Sequence, residues 1–116
     1  MPASKTITVT AADGTWVVRT GGAVIGESSN TLMLEEEGLP FVIYFPREDI
    51  EMAFLDPSDK VTTCPWKGEA THYSIVANSG TLENMAWSYE DPKAEVARIK
   101  DHLAFYVGEL LTVEQL

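Results

Sequence analysis

Only one cysteine, Cys64, occurs among the 116 residues, so the fold is expected to hold without an internal disulfide, as is common in a reducing compartment. A zinc site of four thiolates is excluded for the same reason. The two histidines, His72 and His102, lie in different segments whose spacing suggests no convergence on a metal; no metal and no cofactor are expected. Long apolar runs are also missing. None approaches the roughly 18 residues needed to cross a bilayer, and the N-terminal MPASKTITVT has no apolar block of the secretory kind. The expectation is a soluble, cytoplasmic chain with no membrane partner. Bases are scarce: 8 Lys and Arg stand against 18 Asp and Glu, for a net charge of -10. The mean field repels polyanions, which argues against nucleic acid as a partner. The Gly-x-Ser-x-Gly elbow, the Walker loop, the dinucleotide Gly-x-Gly-x-x-Gly and His-Glu-x-x-His are all absent, so hydrolase, kinase and dehydrogenase readings gain no support.

What is present describes an ordinary globular chain. Hydrophobic residues make up 45% and charged residues 22%, near the average for folded domains. The length suits a single domain over residues 1–116 with one core. In TWVVRTGGAVIGE, Gly21-Gly22 separates two β-branched runs and can take the positive φ angles of a primed turn, predicting a hairpin over about Thr15 to Glu27. LPFVIYFP predicts a central strand with Phe41, Ile43 and Phe45 on one face and Val42 and Tyr44 on the other. Pro46 stops it, and PREDI can make one helical turn. The Glu35 to Glu37 run is expected to be a solvated turn leading to Gly38.

EMAFLDPSD is expected to be extended and to end in a turn at Asp56 to Asp59. VTTC is a short strand, EATHYSIVA an alternating one, and ENMAWSY places Met85, Trp87 and Tyr89 on the face opposite Asn84, Ala86 and Ser88. EDPKAEVARIKDHL reads as a helix: Asp91 caps it, Pro92 opens it, and Val96, Ile99 and Leu103 form its apolar stripe. AFYVGELLTV adds another strand or two. The sum is a mainly β domain, α+β by content, with one late helix.

Chemistry concentrates in TTCPWKGEATHY. Cys64 lies three residues before Lys67, and a cation beside a thiol favours the nucleophilic thiolate; Cys64 and Lys67 are the candidate catalytic pair. The inert alternative is a buried cysteine acting as a small hydrophobe. Arg47 and Lys67 are scarce cations beside aromatic and proline-rich sequence, and if they converge they suit a carboxylate or phosphate. Otherwise Arg47 pairs with Glu48, Glu51 or another acid, and Lys67 is a solvated turn residue. Tyr44, Trp66, Trp87 and Tyr89 can wall a flat pocket, with Glu69 at its edge; Trp87 and Phe45 also read as core. His72 is expected to be a surface or hydrogen-bonded residue.

GGAVIGES, YFPREDI, TTCPWKGEATHYS, AWSYEDP and LAFY, in this order, resemble the pattern of the bacterial domain-of-unknown-function family numbered 427. The likeness runs from about Trp16 to Tyr106. It implies a β-tent-like fold of several short curled antiparallel sheets leaning together around a cleft. The paired Cys-x-x-Cys motifs of zinc-binding β-tent proteins are missing here, so zinc is not carried over. The nucleotidyltransferase label occasionally given to the family finds no matching motif. Two expectations follow: a small-molecule site where YFPRED, CPWKGEA and WSYEDP meet, holding an anionic ligand; or a non-enzymatic module that uses the same groove for a peptide or protein. Open strand edges also make a homodimer an expectation.

Overall fold

Period-two alternation of apolar side chains sets the architecture, and its products are three small antiparallel sheets. The computed structural model describes residues 6–78 and 80–116; residues 1–5, part of the N-terminal stretch read above for a secretory block, and Ser79 lie outside the described residues. The strands are β1 (Ile7–Ala11), β2 (Trp16–Thr20), β3 (Ala23–Ser28), β4 (Leu32–Glu36), β5 (Val42–Tyr44), β6 (Leu55–Cys64), β7 (Gly68–Ala77), β8 (Gly80–Ser88), β9 (Ala104–Phe105) and β10 (Leu111–Gln115). Their sheet orders are β1-β4-β5, β10-β2-β3 and β6-β7-β8-β9. The chain is therefore mainly β, as its patterning predicts.

The predicted hairpin is present. Gly21 and Gly22 take φ of 55° and 79°, values that cost a side chain more than they cost glycine. They join β2 to β3 while Val18 and Ile25 enter the core. A one-residue irregularity after Val18 bends the pair.

Two apolar clusters hold the sheets together. The first gathers Val18, Ile25, Phe45, Ile75, Leu103 and Leu111, among others, from all three sheets. The second collects Leu34, Tyr44, Ala70, Tyr89, Val96 and Ile99, with Cys64 and Trp87 packed against it. Single bridges outside the sheet ladders, Gly26 to Ile50 and Phe45 to Leu103, tie connecting segments to the rest of the fold.

Several local expectations are corrected. The LPFVIYFP strand is not central: β5 pairs only with β4 and is an edge strand, and Phe41 is 51% exposed. Only Phe45 reaches the other side, exchanging both backbone hydrogen bonds with Leu103 at 2.8 Å. The turn expected at Asp56 to Asp59 is instead a bulge inside β6, where the register jumps between Pro57, opposite Tyr73, and Val61, opposite Thr71. VTTC is the far end of that same strand. Before it, Met52–Phe54 forms a short 3₁₀ turn rather than extended chain.

The late helix is the largest departure. Ala94–Ile99 is a 3₁₀ segment, broken at Val96 with φ -125° and ψ 26°, and Asp91 does not cap it. The physical reason lies at its two ends. Lys93 donates its N–H to Lys67 O at 2.9 Å, and Leu103 is committed to Phe45, so the chain must be extended on both sides. Asp101 makes the exit at φ 60°. Val96, Ile99 and Leu103 are nevertheless buried as the stripe predicts.

Candidate functional site

The CPWKG stretch is the turn between β6 and β7. Lys67 donates its N–H to Cys64 O at 3.2 Å, which closes the turn, and Gly68 follows with φ 113°. A Cβ at Gly68 would stand 3.4 Å from Asp91 O and 3.7 Å from Pro92 Cα. The YEDP segment lies across the turn, where the Lys93–Lys67 bond fixes it; it is the positive φ, not lack of room, that calls for glycine here. Two of the three stretches expected to meet are clamped together in this way.

Lys67 is not a solvated turn residue. Its Nζ lies 2.7 Å from Glu36 Oε1, with side-chain exposures of 13% and 7%, and 5.9 Å from the Tyr89 ring centroid. Glu36 comes from β4, where Leu32, Leu34 and Glu36 share the inward face, so the expectation of a solvated glutamate run fails at its middle residue. The alternation that buries the two leucines was the signal for it.

Around this pair stand two tyrosine hydroxyls and the thiol. Burial raises the Tyr44 pKa, with the fields of Tyr89, Glu36 and Cys64 adding to it, although Trp87 opposes by donating to the hydroxyl. That bond, Trp87 Nε1 to Tyr44 Oη, is 3.2 Å long, and it leaves Tyr44's own proton to be given elsewhere. Tyr89 is pushed up by burial first, then by Cys64, Glu36 and Tyr106. Both hydroxyls are therefore protonated donors throughout the physiological range. Cys64 is half-buried with a free thiol, packed against the cluster that contains both tyrosines.

The aromatic wall continues through residues that sequence reasoning missed. Tyr106 lies 4.5 Å from Trp87 between ring centroids and stacks on His72 at 6.2 Å. His72 is 1% exposed and shares a 3.3 Å hydrogen bond between Nε2 and Tyr106 Oη. It is thus a buried, hydrogen-bonded residue rather than a surface one. Its pKa is lowered, chiefly by burial and then by Lys60.

Arg47 stands elsewhere. Its Nη1 donates to Tyr73 Oη and its Nη2 to Ser88 Oγ, each at 3.2 Å, while Nε donates to Asp101 O at 3.2 Å. It pairs with Glu90 at 3.5 Å, not with Glu48 or Glu51. Tyr73 and Thr71 also donate to Glu90, at 3.0 and 3.3 Å. Arg47 thus grips Ser88 and Glu90, whereas Lys67 faces Tyr89 between them. Successive side chains of extended chain point to opposite sides, so the two cations flank the Ser88 to Glu90 segment and do not share a pocket.

Of the remaining predicted residues, Trp66 is half-buried within the turn and Glu69 is exposed at the start of β7. The structure therefore brings Tyr44, Cys64, Lys67, Trp87 and Tyr89 together, adds Glu36, and leaves Arg47 on the far side. Among the described residues no group of three or more His, Cys, Asp or Glu side chains is arranged to hold a metal ion, and no helix is long and apolar enough to cross a membrane.

No curated protein matches the chain. The family model described as a domain of unknown function (DUF427) matches residues 8–115, which takes in every residue of both polar clusters. With the YFPRED, CPWKG and WSYEDP stretches folded into one neighbourhood and the match running almost end to end, the chain belongs to the DUF427 family.

Proposed function

We propose that this domain binds a small anionic molecule at the corner formed by Cys64, Lys67, Tyr44 and Tyr89, with the thiol as its reactive atom. The observation that carries the reading is the Lys67–Glu36 pair, nearly withdrawn from solvent and set among hydroxyls that burial keeps protonated. Withdrawing two charges from water costs several kcal/mol, and replacing such a pair by apolar residues is often neutral or better for stability. Its presence beside a thiol and two donors is the kind of arrangement found at working sites. Lysine has three N–H donors, and the bond to Glu36 uses one. The others, with the Tyr44 and Tyr89 hydroxyls, supply donors to a carboxylate or phosphate, while Trp87 and Tyr106 offer flat apolar walls. Arg47 supports the site from behind by holding Ser88 and Glu90. A cytoplasmic setting, where a free thiol persists, suits this reading.

The test is a panel of small carboxylates and phosphates added to the intact protein, read by thermal shift and by the alkylation rate of Cys64. At least one class should raise the melting temperature and slow alkylation. Tyr89→Phe, which keeps the ring, should weaken that effect about tenfold, the worth of about 1.4 kcal/mol in a hydrogen bond to a charged group. Anions that neither stabilise the protein nor shield the thiol, or an effect unchanged in Tyr89→Phe, would refute it.

A further inference from the structure

We infer that the apolar groove along the outer edge of β5 is a docking site for an extended peptide segment whose apolar residues are followed by lysines or arginines. The groove has a volume of about 300 Å³ and is lined by residues 40–43 on one side and by Trp16, Phe105, Val107 and Val113 on the other. Every one of these side chains is apolar, yet Phe41 and Val107 are 51% and 64% exposed. Phe41 meets Trp16 edge-on at 6.2 Å. This is a surface the protein leaves open, in a region apart from the Cys64 corner.

The groove follows a strand edge, not a sheet face. Side chains alternate along a strand, so one face would contribute every second residue; Val42 and Ile43, consecutive in β5, both line it, with Pro40 and Phe41 from the chain just before the strand, which sets the strand side-on to the space. Phe45 exchanges both of its backbone bonds with Leu103 on that side. Alternation then turns the N–H and C=O of Ile43 the same way, away from β4. The pairing nevertheless stops at that single bridge, and the groove occupies the space between Ile43 and Phe105, where the next pair would form. Such an edge recognises extended chain by backbone bonds, with side-chain pockets for specificity.

Charge selects the occupant. Phe41 also borders a second, open cavity of about 500 Å³ lined by Glu35, Glu36, Glu37, Thr6, Thr8 and Leu39. An extended segment leaving the apolar groove past Phe41 meets glutamates, Glu35 and Glu37 being exposed. A second copy of this chain, at a net charge of -10, is repelled there; a basic segment is attracted.

The experiment uses the intact protein and a fluorescein-labelled peptide of alternating valine and serine ending in three lysines, followed by anisotropy. Saturable binding is expected, weakened at least tenfold by Phe41→Glu and by Val107→Asp. Both positions are exposed, so the fold is retained, which far-ultraviolet circular dichroism verifies. Exchanging the three lysines for glutamates should weaken binding to a similar degree, and raising NaCl from 50 to 500 mM should also weaken it. Absence of saturable binding overturns the inference, as does equal affinity for the acidic-tailed peptide or indifference to both substitutions. Concentration-dependent dimerisation in sedimentation that Val107→Asp abolishes would assign the groove to a second copy and overturn it too.

Discussion

Lys67 and Glu36, 31 residues apart, meet at 2.7 Å in surroundings that leave each only slightly exposed. Cutting either partner from such a pair removes the close opposite charge that offsets the other's desolvation. Glu36→Leu or Lys67→Met alone should therefore lower stability by about 3–5 kcal/mol, whereas the double substitution should lie well below the sum of the two. Urea denaturation of the four proteins measures both quantities. Additive losses would show that the pair is not coupled.

Arg47 holds parts of the chain that are distant in sequence: Tyr73, Ser88, Glu90 and the Asp101 carbonyl. Lysine cannot reproduce that fork. Because the side chain is 32% exposed, solvent screens part of the effect, and Arg47→Lys should cost about 1–2 kcal/mol. That corresponds to a fall of several degrees in melting temperature. An unchanged melting temperature would mean that the network contributes nothing to stability.

Gly68 should resist even the smallest side chain. At φ 113° an L-residue is strained by about 1–3 kcal/mol, although the new methyl would meet the Asp91 carbonyl at an ordinary contact distance of 3.4 Å. Gly68→Ala should destabilise the protein and, as the turn relaxes away from this positive φ, loosen the Lys93–Lys67 bond and speed the amide exchange of Lys93. Unaltered exchange there would show that the clamp does not depend on this glycine.

His72 gives the protein an acid-sensitive component. Its folded pKa lies below the ordinary histidine value, so the unfolded chain takes up a proton that the folded one resists. The stabilisation is complete above the unfolded value of about 6.5 and drains away as pH falls from there through the folded pKa. Denaturant midpoints measured from pH 8 to pH 5 should decline in the wild type and decline less in His72→Gln. Parallel curves would place the loss in other groups.

The contrast between what the residues foretold and what they hid has a physical basis. The Gly21-Gly22 hairpin was legible because its turn chemistry is local. The burial of Val96 and Ile99 was legible too, but not their conformation, because the 3₁₀ geometry is forced by bonds to Lys67 and Phe45 from distant segments. Likewise, the spacing of Cys64 and Lys67 identified the corner, and the tyrosines and Trp87 gathered there. Glu36 stayed hidden behind its two glutamate neighbours, though the Leu32, Leu34, Glu36 rhythm marked it. Arg47 went to the far side because Ser88 and Glu90, not Tyr89, face it, a parity that depends on the β7–β8 register within a sheet distant in sequence from Arg47.

The pairing of β2 with β10 has a temporal consequence. Trp16 lies opposite Gln115 and Thr20 opposite Leu111, so a strand made early waits for one made some 90 residues later. Closing a loop of that size is entropically slow. During synthesis the early hairpin waits with one flank bare until residue 115 has left the ribosome, and a chain stalled before that point would expose the unpaired backbone edge of β2 to chaperones.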